Sequence, residues 1–449
     1  MPLRGPRSVR RAARWRARCA CRDRRGRSCA PRCRSGSCGP CRWPCGHRGP
    51  WSPGRPRTEG GTGAARREGS PVRRLRLSPG GAAHRGPPLH DPSPQAPRPR
   101  RSGKVIAATL AKPGQIEVQD VPDPELAEST SAIVRITRAG ICGSDLYLYD
   151  GRMDIEPDFA LGHEFVGVVE QVGPDVRLID AGDRVVGSFS VSCGRCRPCQ
   201  SGQHARCLML RFFGFGFAFG DLPGGQAERI GVPEADLTLR KVPDEISDDA
   251  AVLLGDNVVT AVDVLRRARF APGQVVAILG SGTIGLLTAQ AALALGASAV
   301  VVHDKVPDRL ARARELGAIA VDVSQDDPLD AVLEVSGYQG ADVVVEATST
   351  IEGTVAAVPL ARKGGVIAVT TVHADGDVTL PIGEMWLKDL ELVMHQVNVQ
   401  ARLDEALALV ASGRLQPEKV ITHRLGLDAA ADGYAAAASY DAVKVVLTP

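Results

Sequence analysis

Gln274-Val-Val-Ala-Ile-Leu-Gly-Ser-Gly-Thr-Ile-Gly285 joins a continuous apolar run to three glycines spaced Gly-x-Gly-x-x-Gly. A run without polar side chains is what a strand buried on both faces of a parallel sheet requires. Leu286–Leu295 then reads as a helix stopped by Gly296, and Ala299-Val-Val-Val302 reads as a second strand leading to Asp304. Strand, glycine turn, helix and strand in this order form a cradle for a dinucleotide pyrophosphate. Gly280 permits the tight turn, Gly282 lets backbone amides approach the phosphates, and Gly285 lets the helix pack on the strand. The helix N-terminus adds positive partial charge, and Thr283 and Ile284 in the turn belong to the expected cofactor-binding residues.

The second strand of the cradle sets the expected cofactor. A carboxylate at Asp304 would accept hydrogen bonds from the adenosine ribose and repel a 2′-phosphate. Lys305 partly offsets that repulsion without reversing it, so NAD is expected over NADP. Arg309, in the following helix, completes the expected cofactor-binding set.

Working outward, further βα units follow. Pro307 suits the first turn of a helix over Asp308–Gly317. Ala341–Glu346 and Gly365–Val369 read as buried strands with a helix at about 351–362 between them. This alternation predicts a doubly wound parallel sheet over 257–398. Residues 399–449 start with a helix at Leu403–Val410, and their final strand, Lys444–Leu447, is expected to return to the first domain. Upstream, 104–256 is β-rich. Ile133–Thr137, Phe165–Glu170 and Arg184–Gly187 are short β-branched runs separated by turn signals such as Gly173-Pro174.

Cysteine usage in this β-rich part is specific. Cys193, Cys196, Cys199 and Cys207 share one polar, turn-forming loop, a poor place for ordinary buried thiols. Four thiolates close a tetrahedral zinc site and leave no position for substrate. Cys142 stands apart in Gly140-Ile-Cys-Gly-Ser-Asp145, and Gly162-His-Glu164 follows 21 residues later. Both lie at expected strand edges, where a barrel-like fold can bring them onto one ion, so a second, open metal site is expected. A lone His163 could otherwise be a satisfied core histidine. Five core cysteines is an odd number with a metal role for each, which fits a reduced, cytoplasmic compartment.

Composition divides the chain. Residues 1–103 hold 26 arginines, no lysine and four acids, a net charge of +22; the whole chain is +4, which leaves −18 on residues 104–449. The first part is rich in Pro, Gly and Ser, lacks periodicity and is expected to be disordered. It also holds seven of the twelve cysteines, irregularly spaced. It can be read as translated sequence upstream of a true start, as a transit peptide, or as a nucleic-acid-binding tail. The acidic core argues against nucleic acid as the main partner. No apolar run of 18 residues occurs, so no membrane span is expected.

Gly140–Asp145, Gly162–Glu164, Gly182-Asp-Arg-Val185, the four-cysteine loop, Gly224-Gly-Gln-Ala-Glu228, Gly280–Gly285 and Ile421-Thr-His-Arg424 together resemble the zinc-dependent medium-chain alcohol dehydrogenases. The resemblance covers 104–449. It implies a GroES-like catalytic domain, a Rossmann cofactor domain, and hydride transfer between an alcohol and a nicotinamide cofactor. It further implies two zinc ions per chain, small-molecule alcohol or carbonyl substrates, and a homo-oligomer. Catalytic zinc would fall to Cys142, His163 and a third ligand. Relatives often have cysteine there, but this chain offers Asp256 in Leu253-Leu-Gly-Asp-Asn257, which could instead cap a helix. Glu164 would sit beside the metal or bind it transiently. Ser144 would relay the alcohol proton, and Tyr147 replaces a histidine that many relatives use in that relay. A formaldehyde-dehydrogenase-like or polyol dehydrogenase activity is the alternative. Phe212–Phe219 would form an apolar wall of the cleft or an ordinary inward-packing strand.

Overall fold

The computed structural model describes residues 103–156, 159–371 and 377–449. The expectations for the Arg-rich segment, its disorder and its seven cysteines, lie outside the described residues.

The first sheet is built around Ala132–Ile141, where Val134 and Ile136 are buried and Arg135 between them is exposed. This alternation of apolar and polar side chains fixes which face meets the core. Its path runs His423–Gly426, Val445–Thr448, Ala132–Ile141, Glu164–Val172, Arg184–Gly187, Leu239–Lys241, with Arg229–Val232 also pairing with Ala132–Ile141. The last strand of the chain thus lies antiparallel to the first long strand of this sheet, Val445 opposite Ile141. A separate hairpin, Lys104–Lys112 with Gln115–Pro122, turns at Gly114, whose φ of +77° favours glycine.

The second sheet has six strands, all parallel: Ile319–Asp322, Ala299–Asp304, Val275–Leu279, Ala341–Glu346, Ala361–Val369 and Glu391–Met394. By order in the chain this is 3-2-1-4-5-6, the doubly wound Rossmann arrangement. The order of strand addition reverses between Val275–Leu279 and Ala341–Glu346, and in such sheets ligands bind beyond the carboxyl ends of the strands at this switch point.

The two sheets share a core. One apolar cluster includes Val166 and Val186 from the first sheet, Val258–Leu265 from a helix, Val276 and Ile278 from the second sheet, and Leu403 and Leu409 near the C-terminus. The helix at its centre is continuous with what precedes it: Asp248–Ala251 is helical, Leu254–Val258 forms a π turn, and Val259–Arg267 continues as α-helix. Among the described residues no helix is long and apolar enough to cross a membrane.

Candidate active site

Strand register brings the first two donors together. Gly140 pairs with Glu164 across the antiparallel ladder. Cys142 therefore leaves one strand beside the point where His163 enters the next. The glycine is required there, because a Cβ on Gly140 would lie 1.9 Å from Glu164 Oε2. Asp256 arrives from the π turn, which presses so closely on Arg184–Gly187 that a Cβ on Gly255 would lie 1.9 Å from the Gly187 carbonyl oxygen. Such turns insert one extra residue into a helix and re-aim side chains, often at functional sites. Helix capping by Asp256 is thereby excluded: the chain is already helical before it, and the position preceding Val259 is Val258 in helical conformation.

Cys142 Sγ lies 3.3 Å from Asp256 Oδ2, and His163 Nε2 lies 3.4 Å from the same oxygen. One donor atom each from Cys142, His163, Glu164 and Asp256 can be chosen with all four within 4.8 Å of one another. Burial first, then the charges of Asp256 and Glu164, push the Cys142 thiol up to about 11. Burial also raises Asp256, but His163 and Lys444 outweigh it and hold the carboxyl low. A divalent cation is the partner such a set of donors calls for, since it favours the thiolate and the carboxylate together.

Residues outside the sequence-based set support these donors. Asp145 is fully buried, and its Oδ1 lies 3.1 Å from His163 Nδ1. A carboxylate there fixes the imidazole orientation and leaves Nε2 for a metal. Glu164 Oε1 accepts from Asn257 Nδ2 at 3.0 Å and from Lys444 Nζ at 2.6 Å, and Lys444 also donates to the Ile141 carbonyl at 3.0 Å. Lys444 is only 2% exposed. Ser144 Oγ, half-buried, stands 3.5 Å from His163 Nε2. Tyr147, by contrast, is a core residue with the Arg152 guanidinium 3.9 Å above its ring.

The four-cysteine loop gathers separately. Cys196 Sγ is 3.4 Å from Cys199 Sγ, Cys207 Sγ is 3.5 Å from Cys193 Sγ, and Cys196 to Cys207 is 3.9 Å. A tetrahedron with metal–sulfur bonds of about 2.3 Å has sulfur–sulfur edges of roughly 3.8 Å, so the donors fit zinc. Backbone amides point at the sulfurs: Cys193 and Met209 each donate to Cys207 Sγ at 3.3 Å. The amides of Leu208 and Cys199 hold Cys196 down to about 6, whereas burial pushes Cys199 up to about 12.

At the glycine turn, Gly280 adopts φ +93° and a Cβ on Gly285 would lie 1.9 Å from the Gly280 carbonyl oxygen. The space beside Gly282 is open except for Arg309 Nη1 at 3.9 Å. Thr283 turns its hydroxyl away, donating to the Val443 carbonyl at 2.7 Å, which leaves its amide and that of Ile284 at the helix start. Asp304 is held by a residue absent from the sequence-based set. Ser281 donates to Asp304 Oδ2 through its amide (2.6 Å) and its hydroxyl (2.7 Å), and the amides of Lys305 and Val306 donate to Oδ1. Against the upward pull of burial, these bonds keep the carboxyl below its ordinary value. Lys305 is exposed, and Arg309 donates to the Ala442 carbonyl at 3.1 Å.

Two family models match: the alcohol dehydrogenase GroES-like domain over residues 128–244 and the zinc-binding dehydrogenase over 283–412. A protein of Mycobacterium tuberculosis named as a probable zinc-binding alcohol dehydrogenase is 35% identical over 74% of this chain and 85% of its own length. The chain belongs to the zinc-binding alcohol dehydrogenase family. Among solved structures, alcohol dehydrogenase TADH from Thermus sp. ATN1 is 38% identical with a TM-score of 0.74, covering 76% of this chain and 99% of that one. A Sinorhizobium meliloti 1021 protein described as a putative zinc-binding dehydrogenase, bound to NADP, is 31% identical with a TM-score of 0.70 over 77% and 99%. The protein is thus a zinc-dependent oxidoreductase of the alcohol dehydrogenase type, and the nucleic-acid alternative finds no support in these relatives.

In this dehydrogenase the Phe212–Phe219 segment is not an inward-packing strand. Only Arg211–Phe212 is extended, because Gly214, Gly216 and Gly220 adopt φ of +76°, +75° and +103°. These turns bend the segment toward His163. Phe215 has its ring 5.3 Å from His163, Phe189 lies 6.1 Å from His163, and Phe212 and Phe219 pack on Phe215 at 6.4 and 5.9 Å.

Proposed function

We propose that this dehydrogenase transfers a hydride between an apolar alcohol, or its aldehyde or ketone, and NAD, at a zinc held by Cys142, His163 and Asp256. The observation that carries the reading is the convergence of these three side chains beneath Phe189 and Phe215. When bound, zinc supplies Lewis-acid polarisation of the substrate oxygen. Ser144 accepts the substrate proton at its Oγ as its own hydroxyl proton moves on to water or a cofactor ribose hydroxyl; Tyr147, sealed in the core, takes no part. Glu164, its charge offset by Lys444, stands beside the donors within reach of the ion. The aromatic wall excludes water and covers the apolar part of the substrate, which favours simple alcohols over polyols. Gly280, Gly282, Gly285 and the amides of Thr283 and Ile284 cradle the pyrophosphate, Arg309 flanks it, and Asp304 receives the ribose with Lys305 at its edge.

The same reading divides the chain into a catalytic domain (104–256, completed by 399–449) and a cofactor domain (257–398). It gives the cysteine lobe a second, structural zinc, whose thiolates suit a reduced cytoplasm. Homo-oligomerisation belongs to it as well, supported by Ile382, Trp386 and Leu387, which are 64%, 79% and 70% exposed next to the edge strand Glu391–Met394.

The test is a substrate panel with zinc-loaded protein and NAD or NADP. Covering a phenyl or similar apolar group contributes about 1.5–3 kcal/mol, so kcat/KM for benzyl alcohol should exceed that for sorbitol by roughly 10- to 100-fold. A preference for sorbitol, or no alcohol-dependent reduction of either nucleotide, overturns the proposal.

A further inference from the structure

Behind His163 a line of buried hydrogen bonds runs to the C-terminal helix. Tyr434 Oη donates to Gln226 Oε1 at 2.8 Å. Gln226 Nε2 donates to Asp145 Oδ2 at 3.2 Å and to the Gly140 carbonyl at 3.0 Å. Asp145 Oδ2 also accepts from the Cys142 amide at 2.9 Å, while its other oxygen faces His163 Nδ1. Tyr434, Gln226 and Asp145 are all 0% exposed.

The chemistry of each group fixes the direction of the line. An ionised carboxylate and a carbonyl can only accept, so the side-chain amide of Gln226 must turn its NH₂ toward them. Its oxygen then needs a donor, and the Tyr434 hydroxyl is the donor at hand. Gln226 reaches this position because residue 162 is glycine: it adopts φ +85°, and a Cβ there would lie 2.4 Å from Gln226 Cγ. The glycine directly before His163 therefore serves the same arrangement. A neutral amide suits Asp145, since it holds the carboxylate in place without cancelling the charge that faces the imidazole.

We propose that Gln226 and Tyr434 are positioning residues of the open site, fixing Asp145 and, through it, aiming His163 Nε2 at Cys142 and Asp256. The inference rests on the ligand set proposed above. It means that Tyr434, whose hydroxyl bonds Gln226 and none of the proposed ligands, sets part of the metal affinity of the open site from the C-terminal return segment.

The experiment uses the zinc-loaded full-length protein with Gln226→Leu and Tyr434→Phe. Two readouts are needed: the rate of zinc loss from the open site to a chelator, and the visible spectrum after cobalt replaces that zinc. Supporting side chains of this kind typically contribute 10- to 100-fold in metal affinity or activity. Gln226→Leu should speed zinc loss by about that factor and shift the cobalt spectrum. Tyr434→Phe keeps the packing and removes only the hydroxyl, and should give a smaller acceleration of roughly 3- to 10-fold in the same direction. In both, the cysteine lobe keeps its ion. Wild-type zinc-loss rates and cobalt spectra in both variants, even with a lowered Tm, overturn the inference and leave the pair as packing residues. Failure of the ligand set is a different result: His163→Ala would then hold zinc as tightly as the wild type.

Discussion

On the reading proposed above, the cysteine lobe and the open site are two answers to one problem, holding a divalent cation. The lobe takes its donors from a single loop, Cys193–Cys207, and satisfies its sulfurs with its own backbone amides. The open site draws on Cys142, His163 and Asp256 from two strand edges and a π turn. It is supported by buried side chains at Asp145, Asn257 and Lys444. Charge separates them further. Four thiolates overcompensate a divalent ion and quench its electrophilicity, whereas one thiolate, one carboxylate and a neutral imidazole balance it and leave a position free. Local assembly gives a staple; long-range assembly gives a reactive centre.

The largest effect should break the pair apart. Asp256→Ala is expected to lower kcat by about 100- to 1,000-fold, the scale of removing a group that stabilises charge in the transition state. Zinc should fall from two ions per chain to one, retained by the lobe. Metal analysis beside turnover checks this, and full zinc content with near-normal turnover would move the third ligand to Glu164.

Cys199→Ser probes the other member. Because structural metal binding is folding free energy, Tm should drop by more than roughly 5 °C under conditions where the wild type is fully loaded. The ligand atoms of the open site are left intact. Unchanged thermal unfolding in Cys199→Ser would contradict the assignment of the lobe as a staple.

The smallest effect lies away from both metals. Asp304→Ser should raise the NADP-to-NAD ratio of kcat/KM by about tenfold, one ribose hydrogen bond and one repulsion being removed. A wild-type preference for NADP would sink the NAD assignment outright. The substitution also carries a pH signature. The Asp304 carboxyl lies below its ordinary value of about 3.9, so its contribution to stability is full above that pH. It closes as pH falls through the lowered value. Melting curves of the two proteins should therefore converge in acid.

Much of the fold was legible because its signals are local. The apolar run before Gly280 became the strand Val275–Leu279, and the Pro307 start and Gly317 stop bracket the helix Pro307–Glu315. The short strands Ile319–Asp322 and Glu391–Met394 carry no such signal, being four residues each and partly exposed. At the site, Cys142 and His163 stood out by residue type, but their supports did not. Asp145 had a signal, three residues after Cys142 within the same motif. Lys444 had none: a lysine heading an apolar strand reads as a solvated end, and fully buried lysines are rare unless paired. Its partner Glu164 is 280 residues away. The phenylalanine segment was ambiguous because alternation suggests a strand; its glycines stand in the sequence, but the positive φ that makes them turns does not show there.

Val445–Thr448, the last strand, pairs with Ala132–Ile141 near the start of the first sheet, and this imposes an order on biosynthesis. As the chain emerges from the ribosome, the first sheet must wait with an open edge while the whole parallel sheet is made. Domains generally fold as units from the N-terminus, yet here the earlier unit is finished last. Until Tyr434 and Lys444 arrive, Gln226 and Glu164 each lack one of the groups that hold them, so on the proposed reading the open site gains its full metal affinity only after the parallel sheet has been made. A nascent chain interrupted before residue 434 would hold its parallel sheet complete and the surroundings of Cys142, His163 and Asp256 unfinished.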